Sequence, residues 1–391
     1  MKLAHLADPH LGFRQFQRQT SNGINQREAD VAAAFRDAID GVIAAAPDAV
    51  VIAGDLFHSV RPTNAAIVFA FRQLQRLREA LPGVPVVLVA GNHDTPRSSE
   101  TGSILRLFEE LGVDVATDEA RRFAYPDRDL AVLAVPHQAL VGERPALDPS
   151  ADARHNVLVL HGEAEGVMPA DRGLVEYGGA VVSAREYDPA RWSYVAWGHY
   201  HVQRQVAPRA WYAGALEYVS PDMWGERREE QRLGLAGKGW LLADLATGAV
   251  SPRPVRLARA LLELEPLDAR ELDAAQLAAA IAARVAAVPG GIADQVVRLV
   301  VRNVPRHVAR DLDHAQIRAW KAAALQFQLD LRRPDPTRVV GVGAPGRRQT
   351  LPEIVRDFLA HRLLPGGVDR ARFVTSGVEL LEQLEREALE G

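Results

Sequence analysis

Residues that could bind metal ions stand directly after five apolar segments of the sequence. They are Asp8, His10, Asp55, Asn92, His161, His199 and His201. In Asp8-Pro9-His10 and in His199-Tyr200-His201 the two side chains are two positions apart. At the end of a strand such a pair projects to one face, so each pair could bind one ion. Asp55 has two carboxylate oxygens and could bridge two ions.

The ligand types indicate which metals the chain would bind. Carboxylate and amide oxygens together with imidazole nitrogens suit Mn²⁺, Fe²⁺ or Zn²⁺. Seven ligands are too many for one tetrahedral ion, but they suit two ions about 3.5–4 Å apart that share a carboxylate. The chain contains no cysteine, which excludes thiolate ligands, disulfides and cysteine nucleophiles. The pattern therefore favours hydrolysis of a phosphoester at two metal ions.

Alternating strands and helices would position these residues. The apolar segments that precede them are residues 3–7, 49–53, 84–90, 157–160 and 194–197, and residues 130–135 and 239–245 predict two further strands. Helical spacing of apolar residues predicts helices over residues 28–46 and 64–81. Continuous apolar runs that alternate with helices indicate sheets buried on both faces. Ligands in such sheets bind at the carboxyl ends of the strands, where all seven residues would meet.

The remainder of the chain predicts further domains. Pro252 and Pro254 mark a boundary between a first domain of residues 1–250 and a small α/β domain of residues 255–333. The small domain has a β-α-β-α-β pattern over residues 261–264, 274–288, 295–301, 315–323 and 325–331. Residues 334–349 are rich in proline and glycine and predict a linker. Residues 350–391 predict two amphipathic helices.

The two terminal helices carry apolar stripes that we expect to bind a partner. The stripe residues are Leu351, Ile354, Val355 and Phe358 in the first helix and Phe373, Leu381 and Leu384 in the second. A monomer usually avoids exposing such stripes, and this spacing is typical of helices that bind in a groove. The alternative is that the helices pack on each other or on the rest of the chain.

Composition limits the classes of protein that are possible. Of the 391 residues, 48% are hydrophobic and 25% charged, which is typical of a soluble globular protein. No apolar run approaches the ~20 residues that cross a bilayer, and the first residues lack a signal-peptide pattern. We therefore expect a cytoplasmic protein without membrane contact. The formal net charge is −4, so any nucleic acid would bind through local basic patches.

Each motif is weak when it is taken alone. An isolated Asp-x-His or Gly-Asp is common by chance, and an isolated histidine is usually an ordinary core or surface residue. We interpret six histidines in that way: His5, His137, His155, His307, His314 and His361. Five imperfect motifs in order at five strand ends are far less common, and this joint pattern supports the metal site.

The joint pattern resembles the calcineurin-like metallophosphoesterase signature over roughly residues 1–245. The matching motifs are Asp8-x-His10, Gly54-Asp55, Gly91-Asn92-His93-Asp94, His161-Gly162 and Gly198-His199-x-His201. The flanking segments resemble the SbcD nucleases of bacterial repair complexes and their archaeal and eukaryotic relatives. These segments are His10-Leu11-Gly12, Gly54-Asp55-Leu56-Phe57-His58, residues 27–39 and residues 212–217.

The resemblance implies a fold and a ligand set. The fold would be an α/β sandwich of two sheets flanked by helices, with a small α/β capping domain and a C-terminal helix pair. One ion would take Asp8, His10, Asp55 and His201, and the other would take Asp55, Asn92, His161 and His199. His93 would lie by the scissile phosphate, supported by Asp94, and His58 would be a second catalytic imidazole. Pro9 departs from the usual residue between the first ligands, but proline is tolerated at a strand end.

The resemblance also implies a substrate and partners. The chain would be an Mn²⁺-dependent exonuclease and endonuclease on DNA ends and hairpins, acting in double-strand break repair as a homodimer. Its terminal helices would bind the coiled coil of an SbcC-type ATPase. Arg14, Arg18, Arg27, Arg61 and Arg97 follow the ligand-bearing strands and could contact DNA phosphates, or they could be solvated loop residues.

Two other functions remain open from the sequence. The first is a related phosphoesterase that acts on nucleotides, phosphoproteins or other small phosphoesters, which the metal motifs alone do not exclude. The capping domain and the terminal helices argue against it, because a small substrate requires neither. The second is a binding protein with a structural or inactive metal site. The complete ligand set together with His93 argues against it.

Overall fold

The computed structural model describes residues 1–96, 102–167, 178–334, 351–362 and 369–390, with side chains up to residue 381 in the last helix. These residues form two units, Met1–Arg332 and Arg333–Gly391. Among the described helices, none combines the length and the apolar character needed to cross a membrane.

The secondary structure of the larger unit alternates as the sequence predicts. The strands are β1 (Lys2–Leu6), β2 (Ala49–Ala53), β3 (Val86–Val89), β4 (Asp114–Ala116), β5 (Arg121–Tyr125), β6 (Leu130–Val135), β7 (His155–His161), β8 (Glu163–Ala164), β9 (Val181–Val182), β10 (Tyr194–Gly198), β11 (Arg204–Ala207), β12 (Ala210–Tyr212), β13 (Gly239–Asp244), β14 (Val250–Pro254), β15 (Leu261–Asp268), β16 (Val296–Arg302) and β17 (Gln326–Leu331). The α-helices are α1 (Gln26–Ala45), α2 (Asn64–Ala80), α3 (His137–Val141), α4 (Ala184–Tyr187), α5 (Met223–Arg232), α6 (Ala274–Ala286), α7 (Arg306–Arg310) and α8 (His314–Ala323).

Two mixed sheets, each six-stranded in the described residues, form the body of the larger unit. Their orders are β14-β13-β1-β2-β3-β4 and β11-β12-β10-β7-β6-β5. Apolar side chains of both sheets, such as Val51 of β2 and Val159 of β7, share one buried cluster. The sheets therefore pack face to face as a sandwich, which confirms the predicted α/β fold class.

Successive side chains of the strands point to opposite faces of the first sheet, and both faces are apolar. Helices cover the outer face. Val50 and Ile52 of β2 pack in the cluster that contains Phe35 of α1 and Leu74 of α2, whereas Val51 packs between the sheets. Asn25 caps α1 by accepting from the backbone N–H groups of its first turn.

The strands that precede the predicted ligands are parallel within each sheet. β1, β2 and β3 pair in parallel in the first sheet, and β7 and β10 pair in parallel in the second. Parallel strands place their carboxyl ends at one edge. The two edges meet, because Nδ1 of His161 at the end of β7 lies 2.9 Å from the carbonyl oxygen of Ala53 at the end of β2.

The small α/β region follows the predicted order of elements. β15, β16 and β17 form a parallel sheet, and α6 and α8 lie between its strands in the sequence. Leu277 and Ile281 of α6 pack with Leu299 of β16 in one buried cluster. The division into two domains at residues 250–255 stays a prediction, because Met1–Arg332 form one compact unit. Pro252 and Pro254 lie within β14, the edge strand that pairs with β13. Proline is accepted there because an edge strand bonds on one side only.

Helix α5 lies between the sandwich and the small α/β region. Nε1 of Trp224 in α5 donates to Oε1 of Gln328 in β17 at 3.3 Å, and the Arg298 guanidinium of β16 lies 5.9 Å from the Trp224 ring centre. Arg228 of α5 forms an ion pair with Glu263 of β15. This short, strongly charged helix has no apolar stripe from which it could be predicted in the sequence.

The smaller unit contains a pair of helices, α9 (Leu351–His361) and α10 (Arg370–Glu390). A Cβ atom added to Gly377 of α10 would lie 2.3 Å from Cδ1 of Leu359, so the two helices are in close contact. Val378 is buried, whereas Leu351, Ile354 and Phe358 are half or more than half exposed, at 52%, 50% and 62%. The predicted stripe of α9 is therefore only partly covered.

Candidate metal centre

The backbone at the predicted ligands adopts conformations that are rare for residues other than glycine. The φ angles of Asp8, His10, Asp55 and His199 are 50°, 48°, 50° and 97°. A positive φ costs a side-chain-bearing residue about 1–3 kcal/mol, and such residues cluster at functional sites. The conformations turn the chain sharply after β1, β2 and β10, where these side chains come together.

Glycines beside the ligands leave the room that the centre needs. A Cβ atom on Gly54 would lie 2.0 Å from Nδ1 of His161, and one on Gly91 would lie 2.1 Å from Oδ1 of Asp55. On Gly198 it would lie 1.7 Å from the carbonyl oxygen of Ala53. The strand ends can approach so closely only because these residues lack a side chain.

One group of potential ligands contains Asp8, His10 and His201, whose ligand atoms lie within 4.8 Å of one another. Nε2 of His10 lies 3.2 Å from Nε2 of His201 and 3.7 Å from Oδ2 of Asp55. All four side chains are buried. This is the set that the resemblance assigns to the first ion.

A second group surrounds Asn92. Its Oδ1 lies 3.0 Å from Nε2 of His161 and 3.2 Å from Nδ1 of His199, and Oδ2 of Asp55 lies 3.3 Å from Nε2 of His161. The structure thus brings all seven predicted side chains together in two groups that meet at Asp55.

His199 and His201 lie in different groups, as the resemblance implies and unlike the two-residue spacing alone, which suggested one shared ion. Strand β10 ends at Gly198, and the φ of 97° at His199 breaks the alternation on which that expectation depended. As a result His199 faces Asn92, whereas His201 faces His10.

The hydrogen-bond partners of His161 show that the second group fits a cation. Nδ1 of His161 must carry the hydrogen, because the carbonyl oxygen of Ala53 can only accept. Nε2 of the neutral ring therefore presents a lone pair to Oδ1 of Asn92 and Oδ2 of Asp55. Three acceptors at this separation repel one another unless a cation or a proton lies among them, and a divalent metal ion satisfies all three.

The first group fits a cation by the same argument. Nδ1 of His201 lies 3.1 Å from Oε1 of Glu226, which can only accept, so Nε2 of His201 presents a lone pair to Nε2 of His10. Nδ1 of His10 lies 3.3 Å from Nδ1 of His58. With Nε2 of His10 as a ligand, its Nδ1 would donate to His58, which would orient the His10 ring.

Charge in the centre is concentrated on Asp55 and His161. Burial alone would raise the pKa of the Asp55 carboxyl, but His161 and His10 hold it well below its usual range. Burial would lower the pKa of His161, but Asp55 and Asp8 raise it to about 9. Burial raises the pKa of Asp8 to about 7. The space beside His161 therefore favours positive charge, which a divalent ion would supply in place of a proton.

The predicted catalytic histidines lie beside the first group. The rings of His58 and His93 stack with centroids 5.1 Å apart, and the His93 ring centroid is 4.9 Å from that of His10. Nδ1 of His93 lies 2.8 Å from the carbonyl oxygen of His58 and donates to it. The backbone N–H of His93 donates to Oδ1 of Asp55 at 2.8 Å.

Asp94 has a different environment from the one expected. Its buried carboxylate accepts from the backbone N–H groups of Leu56, Phe57 and Gly91 at 3.0, 3.0 and 3.2 Å. Burial and the neighbouring Asp55 raise its pKa to about 7. These contacts join the loops that follow β2 and β3, so Asp94 shapes the backbone on which Asp55 and His93 stand.

Glu226, Lys238 and Glu163 lie next to the ligands and were missed by sequence reasoning. Oε2 of Glu226 accepts from Nζ of Lys238 at 2.6 Å, and both side chains are buried. Burial alone would raise the pKa of Glu226, but Lys238 and His201 lower it to about 2. Oε1 of Glu163 lies 3.9 Å from Nε2 of His199. Glu226 and Lys238 meet the ligands only in the folded chain, and Glu163, although two positions after His161, contacts His199 of another strand end.

Most of the predicted DNA-contacting arginines have protein partners. Arg14 donates to Glu28 at 2.8 Å with its side chain 58% exposed, and Arg18 donates to Asp294 at 2.9 Å and to the carbonyl oxygen of Ala322. Arg61 is exposed on the loop after β2. Arg97 lies outside the described residues.

The prediction that Arg27 is a loop residue able to contact DNA is wrong. Arg27 lies in the first turn of α1 and is buried. Its guanidinium donates to Glu217 at 2.5 Å, to Asp30 at 3.3 Å and to the carbonyl oxygen of Tyr218 at 2.8 Å. Arg27 and Glu217 therefore join two of the segments that carry the resemblance.

The histidines that were interpreted as ordinary residues occupy varied positions. His5 is buried with Nδ1 3.1 Å from the hydroxyl of Tyr194. His137 is buried at the start of α3, and burial followed by the charge of His161 lowers its pKa to about 4. His155 begins β7 and is partly exposed, and His307, His314 and His361 are exposed.

Comparison with known proteins identifies the class of the chain. The family model for calcineurin-like phosphoesterases matches residues 1–203, which is just over half of the sequence. The chain therefore belongs to the calcineurin-like phosphoesterase family, and the resemblance inferred from its motifs is confirmed.

Curated relatives place the chain near one branch of that family. It is 37% identical over 111 residues to the DNA double-strand break repair protein Mre11 of Methanococcus maripaludis, which covers 28% of each chain. It is 29% identical over 214 residues to the Mre11 protein of Sulfurisphaera tokodaii, covering 52% of this chain and 49% of the relative. For the Mre11 protein of Methanocaldococcus jannaschii the identity is 26% over 254 residues and 63% of each chain. The matches thus span less than two thirds of each relative.

Proposed function

We propose that this chain hydrolyses phosphodiester bonds in DNA at two divalent metal ions and acts in double-strand break repair. The observation that carries the proposal is the set of acceptor atoms around Asp55, which face one another at 3.0–3.7 Å. The DNA substrate is supported by the similarity to proteins named for DNA double-strand break repair.

One ion would be held by Asp8, His10, Asp55 and His201, and the other by Asp55, Asn92, His161 and His199. Bound divalent ions polarise a phosphoryl oxygen and activate water for attack on phosphorus. Oxygen and imidazole ligands without thiolate suit Mn²⁺, which is the ion we expect.

His93 would provide the proton for the leaving oxygen. Its Nδ1 already donates to the carbonyl oxygen of His58, so Nε2 is the ring atom that can gain and release a proton. The ordinary pKa of an imidazole is near 6.5, which suits this exchange at neutral pH. His58 would hold the rings of His93 and His10 in place through the contacts described above.

DNA would contact exposed arginines beside the centre. We propose Arg14 and Arg61, which are exposed, together with Arg97, whereas Arg18 is engaged by Asp294 and Ala322. Removal of one arginine that binds a phosphate should reduce the slope of log affinity against log[salt] by roughly one unit. Replacement of Arg14 and Arg61 by Gln should therefore flatten this dependence. Arg270, exposed on the loop after β15, provides the control.

The smaller unit would bind a partner protein through α9 and α10. The partly exposed stripe of Leu351, Ile354 and Phe358 supports this proposal, and the family resemblance indicates the coiled coil of an SbcC-type ATPase. Phe358→Asp should abolish co-elution with such an ATPase in size-exclusion chromatography, and the exposed Glu353→Gln on the same helix should not. The same experiment on the chain alone reports whether it forms the expected homodimer.

The function is tested by nuclease activity with added Mn²⁺ on linear and hairpin-ended DNA. Asp55→Asn keeps the shape of the side chain but removes the bridging charge, so it should abolish cleavage. Asp48→Asn is the matched control, because Asp48 precedes the same strand, β2, at its opposite end. Hydrolysis of a small chromogenic phosphodiester without cleavage of DNA, with or without the ATPase, would favour the alternative of a small-substrate phosphoesterase.

A further inference from the structure

A buried network of charges adjoins one of the potential ligands, His201. Oε1 of Glu226 lies 3.1 Å from Nδ1 of His201, and Oε2 of the same carboxylate accepts from Nζ of Lys238 at 2.6 Å. Nζ of Lys238 also donates to the carbonyl oxygen of His201 at 2.8 Å and pairs with Glu230 at 3.0 Å. All four side chains are at most 4% exposed.

We propose that Glu226 is the positioning residue of His201 and that Lys238 orients the side chain of Glu226. Glu226 would hold the hydrogen of His201 on Nδ1, so that Nε2 presents its lone pair to the metal shared with Asp8 and His10. This inference rests on the proposed function only in that the centre binds metal ions. It concerns α5, which lies outside the family match of residues 1–203.

The geometry of the network fits a carboxylate at position 226. A metal-binding histidine is oriented by an acceptor at its other ring nitrogen, and removal of that acceptor typically weakens metal binding by 10–100-fold. Each oxygen of Glu226 meets one donor, Nδ1 of His201 or Nζ of Lys238. A side chain with two acceptor atoms therefore satisfies both neighbours.

An amide at position 226 would reverse the support of His201. The ammonium group of Lys238 can only donate, so the oxygen of a glutamine would face Lys238 and its NH₂ group would face Nδ1 of His201. Nδ1 would then have to accept, which moves the ring hydrogen to Nε2. A histidine with hydrogen on Nε2 cannot bind a metal through that atom, so Glu226→Gln should disable one ligand while changing almost no volume.

The role of Lys238 gives a rescue experiment. In Glu226→Gln with Lys238→Met, the cation that orients the amide is gone, and the amide can turn its oxygen back to Nδ1 of His201. The cluster of Glu226, Glu230 and Lys238 has a formal charge of −1, and the double variant retains −1 on Glu230. The double variant should therefore regain much of the metal affinity that the single variant loses.

Glu230→Gln is the matched control. Glu230 lies on the same helix, is buried, and pairs with Lys238 and with the hydroxyl of Tyr218 at 2.6 Å. Its replacement therefore perturbs the charge network but keeps the carboxylate of Glu226 beside Nδ1 of His201. A purely structural network would make the two glutamine variants equivalent.

Mn²⁺ titration by calorimetry on the full chain tests the proposal. In Glu226→Gln we expect the affinity for one of the two Mn²⁺ ions to fall 10–100-fold. In Glu230→Gln that affinity should stay within about threefold of the parent. In the double variant it should recover at least partly. Equal weakening in both single variants, or wild-type affinity in Glu226→Gln, would overturn it, as would a double variant no tighter than the single one.

The tautomer of His201 can also be read directly without metal. Nitrogen-15 shifts of the ring, assigned by their disappearance in His201→Asn, should show hydrogen on Nδ1 in the parent and on Nε2 in Glu226→Gln. If that variant does not fold, Glu226→Asp keeps a carboxylate and should keep the hydrogen on Nδ1; a switch to Nε2 there contradicts the proposal. Neither readout uses DNA, so a parent that binds Mn²⁺ but leaves DNA intact would refute the proposed function alone.

Discussion

His161 and Ala53 belong to different sheets, and the 2.9 Å contact between Nδ1 of His161 and the carbonyl oxygen of Ala53 joins the two sheets at their ligand-bearing edge. The contact also fixes which nitrogen of His161 faces Asp55. Because it is short and buried, the residues around it, Gly54 and Gly198, have no room for a side chain. The positions of the ligands and the packing of the sandwich are therefore set by the same few atoms.

Gly54→Ala should disrupt this junction far more than an ordinary glycine substitution does. Gly54 has a φ of +93°, and a Cβ there would lie 2.0 Å from Nδ1 of His161. Gly83→Ala is the matched control, because Gly83 has a φ of +73° but no neighbour within 4 Å of the added atom. We expect Gly83→Ala to lower the free energy of unfolding by about 1–2 kcal/mol and Gly54→Ala to lower it by at least about 2 kcal/mol more. Urea denaturation measures both, and similar decreases would contradict the close approach at Gly54.

His93→Phe should separate catalysis from metal binding. Phenylalanine keeps a ring against His58 but has no nitrogen to donate a proton, so turnover should fall by about 10²–10⁴-fold. Mn²⁺ affinity should change little, because the ligand set remains intact. His155→Phe, at the other end of the strand that carries His161, is the control. An unchanged turnover number on DNA would remove His93 from the mechanism.

His5 should make the stability of the protein depend on pH. Burial lowers its pKa from 6.5 to about 3, so the folded state favours the neutral ring. The stability that results is complete above about pH 6.5 and disappears as the pH falls toward 3. His5→Leu should remove roughly 2 kcal/mol of the change in unfolding free energy between pH 7 and pH 5.

Chemical denaturation of the metal-free chain at the two pH values measures this difference. The exposed His307→Leu should leave the pH dependence as it is in the parent. A pH dependence that is the same in His5→Leu and in the parent would show that His5 is protonated in the folded protein as easily as in the unfolded chain.

Arg27→Met should destabilise the chain through the carboxylates that it leaves behind. Arg27 is buried between Glu217 and Asp30, and removal of one member of a buried ion pair costs about 3–5 kcal/mol. Arg14→Met breaks the pair with Glu28 near the surface and should cost less than about 1 kcal/mol. Thermal and urea unfolding provide the comparison; equal costs would mean that burial of Arg27 does not decide the outcome.

Much of the site could be predicted because its residues lie at the ends of strands, and these strands are continuous apolar runs in the sequence. Strands β2 and β6 have the predicted bounds, and continuous apolar runs account for both. The rule that parallel strands bring their carboxyl ends together then places Asp8, Asp55 and His161 at one edge without any knowledge of the sheet order.

The remainder depends on contacts between distant segments. Glu226 supports His201 from 25 residues away, and Lys238 reaches the same histidine from 37 residues away, so no spacing in the sequence connects them. Arg27 was predicted on the surface for a similar reason. Arginine is usually exposed, but the carboxylates of Glu217 and Asp30 balance the charge of Arg27 in the interior. Short strands such as β12, which contains three residues, give too little pattern to identify.

The two prolines of β14 decide what can lie beside the first sheet. In the β13–β14 pair, Gly239 lies opposite Pro254 and Leu241 lies opposite Pro252. The N–H of Val255 donates to the carbonyl oxygen of Lys238. The odd-numbered residues of β14 therefore direct their backbone hydrogen bonds toward β13, and the even-numbered residues direct theirs away from the sheet. The outward positions of β14 are then Val250, Pro252 and Pro254, and of these three only Val250 has a backbone N–H. A strand from another molecule would find a carbonyl acceptor at each of these positions but a donor at Val250 alone. Continuation of the first sheet from one copy of the chain to another is therefore disfavoured at this edge, and we expect a dimer to form through another surface.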